Sequence, residues 1–188
     1  MASHIKKRFL YEERREDLRE EYQRALNKIP KENLIYLDES GFDLTMKKEH
    51  GWKVRGQRLY DNKKGQRKYL KRITTISAYS NKTKKLVAPF YFEGNTNSEM
   101  FNLWIKEILL PELKPNQTII MDNAAFHKNK LTEELIKSAN CNLLYLPPYS
   151  PDFNPIEQKW GHVKNQIKKT RDKFESFIEC LEKVLVGV

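Results

Sequence analysis

Asn33-Leu-Ile-Tyr-Leu-Asp38-Glu39 reads as a short apolar strand that delivers a carboxylate at its end, and Gln117-Thr-Ile-Ile-Met-Asp122-Asn123 repeats the device further along the chain. A carboxylate carried by such a run is costly to bury unpaired, and a hard cation held by oxygen ligands removes that cost. A third acid, Glu157, follows with thirty-four residues between it and Asp122, inside Ser150-Pro-Asp-Phe-Asn-Pro-Ile-Glu157. Adjacent carboxylates raise each other's pKa unless a metal ion binds between them, so two such strands lying side by side would make a candidate divalent-cation site. Taken singly, each Asp serves equally well as a turn former at a strand end. Glu157 also fits a capping box, with Asn154 as N-cap, Pro155 in the first turn and Glu157 three residues after the cap.

Working outward, Leu34 to Asp38 reads as a central strand and Gly41-Phe-Asp-Leu-Thr as its continuation or as a hairpin. Arg72 to Ser80 and Lys85 to Glu93 are β-branched or aromatic runs split by the polar turn Asn81-Lys-Thr-Lys, which suggests an antiparallel pair. Pro89 favours an edge or bulge position within the second run. Helical periodicity follows from Asn97 to Leu110, with Asn97 or Ser98 as N-cap and Pro111 as a stop. The strand ending at Asp122 comes next, then a helix over Lys130 to Ala139, a strand at Asn142-Leu-Leu-Tyr-Leu, and helices over Pro155 to Lys169 and Asp172 to Leu185. Three strands followed by alternating helix and strand is a mixed α/β order that suits a five-stranded sheet with helices on both faces, the ribonuclease-H-like arrangement. Before it, Leu10 to Ile29 is a charged amphipathic helix ended by Pro30, packing on the domain or serving as a linker or dimer arm. The expected division is residues 1–31 as helix and linker and 32–188 as the catalytic-sized unit.

The 188 residues carry a net charge of +10. Nearly all the surplus lies in residues 46–72, where eleven Lys or Arg meet two acids. Lys47, Lys48, Lys53, Arg55, Arg58, Lys63, Lys64, Arg67 and Lys68 are interleaved with Trp52, Tyr60 and Tyr69. Cations there can neutralise phosphates and the rings offer stacking faces, the footprint of a nucleic-acid contact; a solvated basic loop has the same composition. Two cysteines, Cys141 and Cys180, in no paired spacing, argue against a disulfide framework or structural zinc. No run approaches the roughly twenty apolar residues that cross a bilayer, so no membrane partner is expected and the chain reads as cytoplasmic, associated with the nucleoid when bound to DNA.

Asp38-Glu-Ser-Gly41, Gly51-Trp52, Asp122-Asn-Ala-Ala-Phe-His127 and Leu146-Pro-Pro-Tyr-Ser-Pro-Asp-Phe-Asn-Pro-Ile-Glu157 followed by Trp160 resemble the catalytic domain of DDE transposases, on the branch of the mariner-like superfamily and its bacterial insertion-sequence relatives. The resemblance spans about residues 33–169, and the Tyr-Ser-Pro-Asp-x-Asn-Pro-Ile-Glu string is its most specific part. It implies that Asp38, Asp122 and Glu157 hold two Mg²⁺ or Mn²⁺ ions for DNA strand cleavage and strand transfer. It also implies supporting roles for Asn123 and His127 beside Asp122, and a homodimer on DNA. Asn154 is expected to cap the Glu157 helix, Glu39 to point away from the site, and Trp160 to be core. Lys159, Lys164, Lys168 and Lys169 offer phosphate contacts or a solvated face. The thirty or so residues before the first strand do not form a helix-turn-helix unit, so an upstream DNA-recognition partner or fusion product is expected. A metal-dependent nuclease of ribonuclease-H type and a non-catalytic, inhibitory DNA-binding remnant are the competing readings.

Overall fold

The structure is a computed structural model that describes residues 15–44 and 72–187. Its centre is a five-stranded sheet, formed by β1 (Leu34–Asp43), β2 (Arg72–Ser80), β3 (Leu86–Glu93), β4 (Thr118–Met121) and β5 (Asn142–Tyr145) in the order β3-β2-β1-β4-β5. β1, β2 and β3 pair antiparallel, and β4 and β5 add in parallel on the other side of β1. The antiparallel half needs only tight turns. The parallel half needs crossovers, which the helices of the second half of the chain supply.

Alternation along β1 sorts the core into two layers. Leu34, Tyr36 and Phe42 face one way and are buried with Ile156, Trp160, Val163 and Ile167 of α4 (Ile156–Thr170), and with Phe177, Cys180, Leu181 and Leu185 of α5 (Phe177–Val186). Tyr22 of α1 (Glu16–Leu26) joins this layer. Ile35 and Leu37 face the other way, against Phe101 and Trp104 of α2 (Ser98–Trp104), the turn that continues it, and Ile136 of α3 (Lys130–Ser138). The helices therefore cover both faces, as the element order implied. Among the described residues no helix is long and apolar enough to cross a membrane.

Several local expectations are corrected. Of the two readings of Gly41-Phe-Asp-Leu-Thr the hairpin fails and the continuation holds as far as Asp43, because β2 pairs with β1 along that whole length, Asp38 opposite Ser77 and Asp43 opposite Arg72. The helix from Asn97 is α-helical only to Trp104; residues 105–109 form a wider π turn and 110–112 a 3-10 turn that contains Pro111. Proline cannot donate to the carbonyl four residues back and its ring crowds that carbonyl, so the ladder loosens ahead of Pro111 instead of stopping at it. The last helix starts at Phe177, not Asp172, because Ser176 accepts from the Glu179 amide at 3.0 Å. Ser176-Phe-Ile-Glu179 is a capping-box sequence that marks this start.

β3 is the edge strand that Pro89 requires. Ile76 pairs with Phe90 and Ala78 with Val87, so Ser77 alone faces both Ala88 and Pro89, a β-bulge in which Ala88 adopts φ 53°. The bend offers the Ala88 carbonyl to the Trp104 indole N–H at 2.9 Å. The equally buried Trp160 has an indole nitrogen with no hydrogen-bond partner among the described residues. Replacing Trp104 by Phe strands a buried carbonyl, whereas Trp160→Phe strands nothing. Trp104→Phe is therefore expected to cost about 1–2 kcal/mol more than Trp160→Phe in urea unfolding.

Candidate active site

The parallel register of β1 with β4 builds the site. Leu34 pairs with Thr118, Ile35 with Ile119 and Tyr36 with Ile120, and the same offset carried two residues further sets Asp38 level with Asp122. β4 stops at Met121, so Asp122 sits on the loop that leaves the sheet while Asp38 is still within β1. Glu157 arrives from the first turn of α4, where its negative charge suits the positive helix end. Together with Asn123, Asn154 and the loop of residues 146–151, the three acids line one cleft of about 390 Å³.

Electrostatics set the two aspartates apart. Burial, then the charges of Glu157, Glu39 and Asp122, push the Asp38 carboxyl up to about 8. Burial also opposes ionisation of Asp122, but hydrogen bonds from His127 and the Ala124 amide, with the histidine's charge, hold it below the usual carboxylate range. His127 is the counterweight: it is 1% exposed, its Nδ1 lies 2.6 Å from Asp122 Oδ1 and its Nε2 2.9 Å from Glu39 Oε1. Burial works against its charged form, yet the two hydrogen bonds and the two negative charges raise its pKa to about 9. At neutral pH it is an imidazolium donating to both acids. Phe101 and Phe126 close around the ring at centroid distances of 4.4 and 4.3 Å.

Glu39 does point away from Asp38, but into the layer where His127 lies, so it supports the site from the far face of the sheet. Strand alternation gave its direction; its partner was not visible in sequence. Asn123 donates from Nδ2 to the Leu146 carbonyl, fastening the loop after β4 to the loop after β5. Asn154 is not the N-cap of α4. Pro155 occupies that place without a side-chain cap, and Asn154 Nδ2 instead reaches across to the Leu37 carbonyl at 3.2 Å. Trp160 is core, 2% exposed, edge-on to Phe42 at 6.1 Å. Lys159 and Lys164 lie over the rings of Tyr79 and Phe42 at 5.8 and 5.6 Å. The basic segment with Lys47, Lys48, Trp52, Lys53, Arg55, Arg58, Lys63, Lys64, Arg67 and Lys68 lies outside the described residues.

Among the described residues no three Asp, Glu, His or Cys side chains are gathered closely enough to ligate one ion as they stand. Three features nevertheless fit a hard cation. His127 and Ala124 both engage Oδ1 of Asp122, and Oδ2 of this half-exposed side chain has no hydrogen bond recorded to any described residue. The buried Oδ1 of Asn154, on the cleft wall, has no hydrogen-bond partner among the described residues. Asp38 is driven towards its neutral form, a state that a dication would reverse.

The sequence pattern of the family described as DDE superfamily endonuclease matches residues 33–181. The chain belongs to this family. It is a DDE transposase domain related to the Tc1 and mariner transposases. It is 38% identical over 50 residues to the Tcb2 transposase of Caenorhabditis briggsae, a stretch covering 27% of this chain and 18% of that protein. It is 48% identical over 40 residues to the Tc3 transposase of Caenorhabditis elegans, covering 21% of this chain and 12% of that one. Among solved structures it is similar to the mariner Mos1 paired-end complex with Mg, with TM-score 0.65 at 14% identity over 99% of this chain and 64% of that one. The catalytic core of BIV integrase is similar with TM-score 0.50 at 15% identity, over 83% of this chain and 82% of that one. The chain spans less than two thirds of the transposases it matches. These likenesses give the DDE domain its ribonuclease-H-like fold.

Two predictions follow from the electrostatics. A carboxyl whose folded pKa is raised to about 8 costs stability as pH climbs from its unfolded value near 3.8. In EDTA, Asp38→Asn is therefore expected to be more stable than wild type at pH 8 and level with it near pH 4, as read by chemical unfolding. Removing His127 leaves Glu39, whose side chain is only 16% exposed, without its partner. His127→Ala is expected to cost about 3 kcal/mol in unfolding free energy.

Proposed function

We propose that this DDE domain cleaves DNA strands and transfers the freed ends to target DNA, with Asp38, Asp122 and Glu157 as catalytic residues holding two Mg²⁺ or Mn²⁺ ions. The observation that carries the reading is the β1–β4 register, which sets Asp38 level with Asp122 in the cleft that Glu157 also lines. When bound, such a pair of ions lowers the pKa of an attacking water or 3′-hydroxyl and offsets charge on the leaving oxygen of an in-line displacement at phosphorus.

The protein's own part is placement. Asp122 is anchored through one oxygen by His127 and Ala124, leaving the other for a ligand. Asn123 and Asn154 tie the cleft wall to the loop after β4 and to β1, so the distance from Glu157 to the two aspartates is held on both sides. No covalent protein intermediate is required, because hydrolysis and transesterification differ only in which oxygen attacks. DNA is the partner. The basic segment Lys47 to Lys68 and the lysines of α4 are its proposed phosphate contacts, binding mainly through backbone charge. The division at residues 31 and 32, a homodimer on DNA and an upstream helix-turn-helix partner or fusion belong to the same reading. The Mos1 structures similar to this chain include a paired-end complex and a strand transfer complex, which is the likeness behind the transfer step.

The test is nicking and strand transfer on supercoiled plasmid with Mn²⁺, alongside melting temperature against Mn²⁺ concentration. Wild type is expected to nick and to melt higher as Mn²⁺ rises. Asp38→Asn, Asp122→Asn and Glu157→Gln should each lose both responses, with rates down by more than about 100-fold, since loss of a ligand exceeds the 10–100-fold typical of its supporting partners. Nicks without transfer products would favour a simple nuclease. An unchanged melting temperature at millimolar Mn²⁺ with no nicking would favour the non-catalytic remnant.

A further inference from the structure

The cleft wall between β5 and α4 is gripped from outside the matched residues 33–181, by α1. Arg19 is only 5% exposed although it carries a permanent charge. Its Nη1 donates to Ser150 Oγ at 2.6 Å and to Asp152 Oδ1 at 3.1 Å, and its Nη2 to Asp152 Oδ2 at 2.6 Å. The guanidinium plane stacks 3.9 Å from the centre of the Phe153 ring. Tyr22, one helical turn on, stacks on the same ring at 5.3 Å and 25°. One side chain thus grips three of the four residues 150–153, in the segment that hands over to Asn154 and Glu157.

That segment needs holding. It has no regular strand or α-helix between Tyr145 and Ile156, and Tyr149, half-exposed on the cleft, adopts φ 51° without being glycine. Its two ends are fastened by Asn123 to the Leu146 carbonyl and by Asn154 to the Leu37 carbonyl. Between those ends, Ser150 Oγ donates to the Pro148 carbonyl within the loop, and Arg19 reaches in from α1. The Glu157 amide donates to the Asn154 carbonyl at 3.2 Å, so a shift at residues 150–153 passes directly to the start of α4.

We propose that Arg19 is a positioning residue of the active site: the Arg19 clamp on Ser150, Asp152 and Phe153 fixes where Glu157 stands relative to Asp38 and Asp122. The proposal rests on the catalytic reading of those three acids. A lysine keeps the charge at 19 but loses the two-pronged fork and the planar stacking face, so it cannot substitute. Positioning groups remote from the chemistry act strongly because small displacements misalign reacting atoms.

The experiment compares wild type with Arg19→Lys, with Asp152→Asn, whose side chain is half-exposed and whose loss spares the core, and with Glu21→Gln, an exposed change on the same helix. Three readouts are taken on the full chain: amide hydrogen exchange over residues 146–157, the Mn²⁺ concentration for half-maximal thermal shift, and the plasmid nicking rate at saturating Mn²⁺. Arg19→Lys and Asp152→Asn are expected to exchange faster in that segment, to need about tenfold more Mn²⁺, and to nick about 10–100-fold more slowly, with Glu21→Gln like wild type. Lower melting temperatures with unchanged Mn²⁺ response and nicking would make the clamp merely structural and overturn the proposal, as would unchanged exchange in both variants. A wild type that neither responds to Mn²⁺ nor nicks overturns the catalytic reading itself, and the exchange readout then tells whether the clamp stands without it. Should Arg19→Lys fail to fold, Asp152→Asn decides alone.

Discussion

The parallel pairing of β1 with β4 is the constraint on which the site depends. It sets two aspartates level at the middle of the sheet, one of them within a strand whose neighbours are nearly all buried. Like charges brought together in a poorly solvated place are unfavourable, and much of the surrounding structure answers that problem. His127 supplies a buried positive charge from the far face, held there by Phe101 and Phe126 and shared with Glu39. Asp38, held towards its neutral form, and Glu157 face the cleft. The sheet's two apolar layers hold Asp38 in place, since moving it means slipping a register that every buried residue of β1 and β4 opposes, and Asp122, on the loop after β4, is held by His127 and the Ala124 amide.

Much of this was legible in the residues. The apolar runs ending in Asp38 and Asp122, the β-branched pair around Asn81, and the proline-laden approach to Glu157 each implied an element that the fold contains. The order of elements implied the mixed sheet covered on both faces. What sequence could not supply was register: eighty-three residues separate the two aspartates, and nothing in either run says that Leu34 rather than Tyr36 meets Thr118. Pairing of that kind is settled by the packing of both layers at once, and so it lies beyond any local pattern.

The misreadings have a common cause. The immediate neighbours of Asn154 and Asp38 point one way, and in the fold each is governed by a residue far away in the chain. Asn154 has every local credential of an N-cap, but the Leu37 carbonyl lies within reach and an amide can serve a buried backbone group better than a solvated helix end. The apolar run ends at Asp38 but the strand does not, and pairing with β2 is what decides for continuation over a hairpin. Glu39 shows the converse case, in which alternation gave the direction of the side chain and only the fold revealed His127 waiting on that side. The Ser176 cap, by contrast, was written in the sequence as Ser-x-x-Glu and needed only to be weighed against the apolar periodicity around it.

The bulge at Ala88 and Pro89 has a consequence for the molecule as a solute. An outer strand with a continuous row of free amides and carbonyls is a template on which a second chain can add, and sheets with such margins polymerise. Here the β3 margin is broken at mid-length by a proline that has no amide to offer and by a kink that turns the backbone out of line. The opposite margin, β5, is only four residues long. Neither margin thus offers a second chain a long unbroken row of amides and carbonyls on which to add.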